Sequence, residues 1–191
     1  MKDEYFKNFK QKGYLDRFDK KYFWEFEKQL EEVIIPLYDG WNKLSEERLE
    51  FLLKKLGQIC RDEKSLLKNE FLTDDRLIPI LLMIGIKYEN NHKILIQIVS
   101  SINNIYIKYG LEITDEIFDF LLEQTNNIKV KFYVFIFITE LPQFKILKTK
   151  WEYILSIPKI APRKKSINTF YRVINDNLDL SLIHISGPRD A

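Results

Sequence analysis

Cys60 is the only cysteine in the 191-residue chain. No disulfide can close within it, and a thiolate-based metal cluster has no second sulfur to use. Cys60 itself, between Ile59 and Arg61, reads as a packed or half-buried thiol near a helix end. Histidine is almost as scarce. His92 and His184 stand far apart, and neither has a ligand partner at metal-site spacing, so no metal and no cofactor are expected. The six glycines fall singly and build no phosphate-cradling loop. Six glycines and six prolines are also few for a sheet protein that must turn often. No Ser–His–Asp or Cys–His arrangement is legible. No catalytic residue is therefore assigned, and the expectation is a protein that is not an enzyme. No uninterrupted apolar run approaches the roughly 18–20 residues of a membrane span. The opening Met1-Lys2-Asp3-Glu4-Tyr5 is charged where a signal peptide would be apolar. A cytoplasmic protein without a membrane partner is expected.

What the chain does contain is an ordinary globular balance. Hydrophobic residues make up 46% and charged residues 30%, enough apolar material for one domain with a real core. Ile, Lys and Asn are over-used, as in AT-rich bacterial coding sequence. Residues 1–13 read as a polar lead-in and residues 14–179 as one helical domain. Residues 180–191 form a tail in which Ser181-Leu182-Ile183-His184-Ile185-Ser186 reads as non-native read-through.

Hydrophobic spacing at three and four residues predicts a series of helices. In residues 16–37, Phe18, Tyr22, Phe23, Phe26, Leu30, Val33, Ile34 and Leu37 share a face, and Pro36 with Asp39-Gly40 is expected to end the helix. Ser45-Glu46-Glu47, Thr73-Asp74-Asp75 and Thr114-Asp115-Glu116 then repeat one opening signature. A hydroxyl accepts from the unpartnered N–H groups of the first turn, worth about 1 kcal/mol, and acids suit the positive helix end. The predicted helices that follow these openings carry Leu49, Leu52, Leu53, Leu56 and Ile59 on one face, a strongly apolar run over residues 77–88, and Ile117, Phe118, Leu121 and Leu122. A short helical turn is predicted at residues 65–71. Residues 93–109 confine their polar side chains, Gln97, Ser100, Ser101 and Asn104 among them, to one narrow stripe, so that helix is buried on most sides; Gly110 closes it. Residues 128–141 are β-branched and aromatic. They read as helix because no neighbouring segment offers a strand partner, with Pro142 as the stop. Residues 151–157 and 165–178 complete the series. Trp24, Trp41 and Trp151 are expected as interhelix anchors.

The unit of a capped helix, an Asn-Asn turn and a nearly all-apolar helix occurs at residues 73–109 and again at 114–141, with irregular spacing. In this it resembles HEAT-like and armadillo-like α-helical repeat proteins over residues 44–158, by pattern and without a specific motif. The resemblance implies an all-α fold, an irregular right-handed α-solenoid of about eight or nine helices. Small single-domain bacterial solenoids of this kind are similar to immunity proteins that neutralise a cognate toxin. That resemblance implies a binding scaffold whose partner is a protein, such as a toxin.

Charge is unevenly spread although the net is only +2. Acids dominate residues 71–127 and bases residues 128–175. Glu112, Asp115, Asp119 and Glu123 mark the outward side of one predicted helix and are the candidate surface for a basic partner. Lys159, Arg163, Lys164, Lys165 and Arg172, with Tyr171 nearby, are the alternative, a phosphate-contacting segment of a nucleic-acid-binding protein.

Overall fold

A computed structural model describes residues 28–61, 72–124, 128–157 and 164–178. Every regular element among them is helical, so the all-α expectation holds. The lead-in, Trp24 and most of the first expected helix, the turn expected at residues 65–71, and the tail with His184 lie outside the described residues.

The described chain begins with a π-helical turn at Leu30–Ile34, continues as α1 (Ile35–Gly40) and tightens into a 3-10 turn at Trp41–Lys43. Pro36 therefore does not end the first helix as expected. It sits in the first turn of α1, directly after the π turn, where a missing N–H costs little.

Helix α2 (Glu46–Arg61) starts on its expected cap: the Arg48 N–H donates to Ser45 Oγ at 3.2 Å. Its apolar face buries Leu49, Leu52, Leu53, Leu56, Ile59 and the thiol of Cys60. Helix α3 (Leu77–Lys87) departs from the signature at Thr73. No side chain caps its N-terminal residue; instead the Asp74 carboxylate, one residue on, accepts the Arg76 N–H at 2.9 Å and pairs with the Arg76 guanidinium at 2.8 Å. Such a turn satisfies backbone donors as a cap would, and a carboxylate competes for them better than a hydroxyl.

Asn91 proves to be more than a turn residue. Its side chain accepts from the Lys93 and Ile94 N–H groups and starts α4 (His92–Tyr109). Gly110, at φ 68°, ends that helix in the left-handed conformation that glycine adopts without strain. Thr114 caps α5 (Asp115–Glu123) by accepting the Ile117 N–H at 3.4 Å. Helix α6 (Ile128–Ile138) is helical despite its β-branched content, and it stops short of Leu141. Pro142 does not terminate it but opens a short helix absent from the sequence reading, α7 (Pro142–Ile146), at a position where proline is favoured. Helices α8 (Lys150–Ser156) and α9 (Lys164–Asn177) fall where spacing placed them.

Helix α4 sits at the centre. It lies against α2, α3 and α6, while α1 touches α3, α5 touches α6, and α8 links α7 to α9. One buried cluster runs through all of these helices, from Val33 to Val173. Trp41 and Trp151 pack partly buried against it, as anchors should. The polar stripe of α4 is not its outer face. Ser101 is fully buried, whereas Ile107 is 68% exposed. The stripe faces Gly57 of α2, where an added Cβ would stand 3.2 Å from Gln97 Oε1 and 3.7 Å from Ser101 Oγ. Small residues on both sides let the two helices approach closely.

A second close approach ties α3 to α5. A Cβ on Gly85 would lie 2.5 Å from Cζ of Phe120, whose ring is itself buried. Gly85→Ala should therefore lower stability by about 1–3 kcal/mol through overpacking, more than offsetting the gain of about 1 kcal/mol in helix propensity. Urea unfolding checks this: an unchanged or raised midpoint would show that the α3–α5 contact is not tight.

Candidate functional site

The acidic side chains singled out in the sequence occupy the linker after α4 and the outer face of α5. Glu112 lies in the extended stretch between Gly110 and the Thr114 cap. Asp115, Asp119 and Glu123 follow at helical spacing, and all four are exposed. None of them forms an ion pair among the described residues.

Folding adds a feature that the sequence reading missed. A cleft of about 390 Å³ opens between the start of α3, the end of α4 and the start of α5. Its floor is apolar, built by Leu72, Ile78, Leu82, Ile105 and Ile117, with Tyr109 and Leu111 at the side. Its rim carries Asp74, Asp75, Glu112 and Glu116, and among the described residues no lysine or arginine lines it. The acidic pairs at Asp74-Asp75 and Asp115-Glu116 had each been explained by helix capping. The available signal was topological: the chain reverses after α3 and again after α4, so the openings of α3 and α5 emerge at the same end.

The electrostatics of the rim follow from this crowding. Burial pushes the Asp74 carboxyl above the ordinary carboxylate range; the N–H of Arg76 opposes that shift, and the adjacent Asp75 reinforces it. Behind Asp74, the Tyr38 hydroxyl is pushed well up, first by burial and then by the charges of Asp74 and Asp75. The Arg76 guanidinium covers the Tyr38 ring at 4.7 Å from its centroid and so holds one cation beside one of the acids. Among the described residues, no group of three or more His, Cys, Asp or Glu side chains converges to hold a metal ion.

The basic candidates are less concentrated. Lys159 and Arg163 lie outside the described residues, and Lys164 and Lys165 fall in the first turn of α9. Arg172 pairs with Glu140 at 3.2 Å. A shallow hollow of about 680 Å³ at the start of α2 and α4 holds Glu46, Glu50, Lys87, His92 and Lys93. Its charges are largely matched internally: Lys93 pairs with Glu50 at 3.6 Å, and Asn91 donates to Glu46. His92 is a half-buried helix-start residue there. No described helix is long and apolar enough to cross a membrane.

Comparison with protein-family models, with curated proteins and with solved structures finds no match to this chain.

The raised Asp74 carboxyl has a definite linkage sign. A carboxylate whose folded value lies above its unfolded value of about 3.9 is less penalised in acid, so this group costs stability progressively as pH rises through that window. An NMR titration should place the Asp74 midpoint above that of an ordinary aspartate, and Asp75→Asn should bring it down. A midpoint that stays put in Asp75→Asn would mean that the two carboxylates do not sense each other.

Proposed function

We propose that the chain is a non-enzymatic, cytoplasmic protein-binding scaffold, an irregular right-handed HEAT-like stack that binds and masks a basic partner. Of the families it resembles, toxin-neutralising immunity proteins fit this reading best. The helix neighbours support the stack. Helix α2 meets α4 and α4 meets α6, while α3 lies beside α1 and, through Gly85 and Phe120, beside α5. Helices two apart in sequence becoming neighbours is what a double row of repeats requires.

The observation that carries the binding role is the exposed acid on α5 and its leading linker, which forms no ion pair among the described residues. A folded domain gains nothing in stability from Asp115, Asp119 and Glu123 repelling one another along one helix face. The first turn accounts for Asp115, whose charge suits the helix N-terminus, but Asp119 and Glu123 are beyond its reach or at the opposite, negative end. Such a face raises the encounter rate with a basic protein and discriminates against acidic ones. Nucleic-acid binding through Lys159, Arg163, Lys164, Lys165 and Arg172 has weaker support, because the Arg172 side chain is already engaged by Glu140.

The test is co-expression with the product of the adjacent gene, which should yield a stoichiometric complex without metal or cofactor. Replacing Asp115, Asp119 and Glu123 by Asn, Asn and Gln should slow association about tenfold at low salt, with the gap closing as salt rises and the thermal midpoint unchanged. An unchanged association rate would reject this surface.

A further inference from the structure

We propose that the cleft between α3, the end of α4 and the start of α5 receives a protein segment in which an apolar side chain stands beside lysine or arginine. This rests on the scaffold reading and names the place on it where recognition is most selective.

Shape and charge restrict the occupant from two directions. At about 390 Å³ the cleft holds a few side chains and not a whole helix. An apolar floor rewards an apolar tip. Asp74 already has the Arg76 guanidinium beside it, but seating an apolar group alone would strip water from Asp75, Glu112 and Glu116 without offering them a cation, which is unfavourable. An acidic segment, or the phosphates of a nucleic acid, would meet like charge. A cation flanking the apolar side chain meets both demands, since it supplies charge-assisted bonds to the carboxylates as the tip enters.

Glu112 separates this reading from a purely architectural one. Asp74 and Asp75 precede α3, and Glu116 lies in the first turn of α5, so all three suit a positive helix end. Glu112 also precedes a helix, α5, but it follows the C-terminus of α4 just as closely. It stands in the extended linker, exposed, between the Gly110 end of α4 and the Thr114 cap, with no ion pair among the described residues. The negative end of α4 opposes what the positive end of α5 favours, so the helix termini account for Glu112 less well than for the other three, and it contributes to the cleft rim.

The experiment uses the full chain and short fluorescein-labelled peptides read by fluorescence anisotropy at low salt. One peptide alternates lysine with leucine, a second lysine with glycine, and a third glutamate with leucine. The lysine–leucine peptide should bind, the lysine–glycine peptide should bind about tenfold more weakly, and the glutamate–leucine peptide should not bind. In the triple variant Asp75→Asn, Glu112→Gln, Glu116→Gln the lysine–leucine peptide should weaken about tenfold, and by more than when Asp115, Asp119 and Glu123 are neutralised. Glu112→Gln alone, in a linker and remote from the core, should weaken it about threefold and keeps the test decisive if the triple variant loses its fold. Equal binding of the lysine–leucine and lysine–glycine peptides would overturn the proposal, as would full binding to the cleft variants or no binding at all. Loss only in the outer-face variant would also overturn it and yet uphold the scaffold reading. Self-association of the chain that disappears in the cleft variants, seen by sedimentation velocity, would assign the cleft to a second copy and overturn it as well.

Discussion

Helix α4 keeps little surface of its own, and the rest of the molecule is arranged around that fact. Ile94, Leu95, Ile98, Val99, Ile102 and Ile105 are buried along it by α2, α3 and α6. Burying six such side chains contributes on the order of 10 kcal/mol before chain entropy is subtracted, comparable to the entire net stability of an ordinary domain. A helix so covered leaves no room for a polar site in its interior. Gly57 lets α2 pack directly against the serine stripe of α4, and the same closeness crowds a larger residue there.

That central burial leaves the periphery of the described helices for polar and charged side chains. The reversals between helices bring the openings of α3 and α5 to one end, and with them the carboxylates that suit two positive helix termini. Asp74, Asp75 and Glu116 thus serve local structure first. Once gathered, they form a field that a single helix end would not produce, and Glu112 and the outer acids of α5 extend it. Among the described bases, Arg172 of α9 reaches Glu140, and Lys131 lies over the Tyr153 ring, its burial lowering its affinity for a proton. A polarised surface of this kind arises from where capping residues are needed and is then open to use in recognition.

Much of this was legible in the residues because it is local. The Ser45 and Thr114 caps, the Gly110 stop, and the apolar faces of α2 and α5 each depend on neighbours within a turn or two, and each is found as spacing predicts. Helix α6 is helical as expected despite its β-branched content, and every regular element among the described residues is helical. Proline caused two errors of one kind. Pro36 and Pro142 read as stops in the sequence, yet each lies in the first turn of a helix, because a preceding break or π turn turns a missing N–H into a suitable start. At Thr73 the residue type was right for a cap, but the adjacent Asp74 makes the bonds. The cleft was not legible at all, since its rim joins Asp74 and Asp75 to Glu112 and Glu116 across a helix pair, and no spacing rule reports which helix ends meet. The same limit applied to the stripe on α4, whose polar spacing looks identical whether it faces water or Gly57.

The claim on which the account depends is that α4 is the last element to open. Native-state hydrogen exchange resolved by residue measures it directly. The account predicts that the amides of Ser101, Ile102 and Ile105 exchange only through global unfolding, more slowly than any in α9. Exchange of those three amides as fast as that of α9, at a free energy well below the global value, would contradict it.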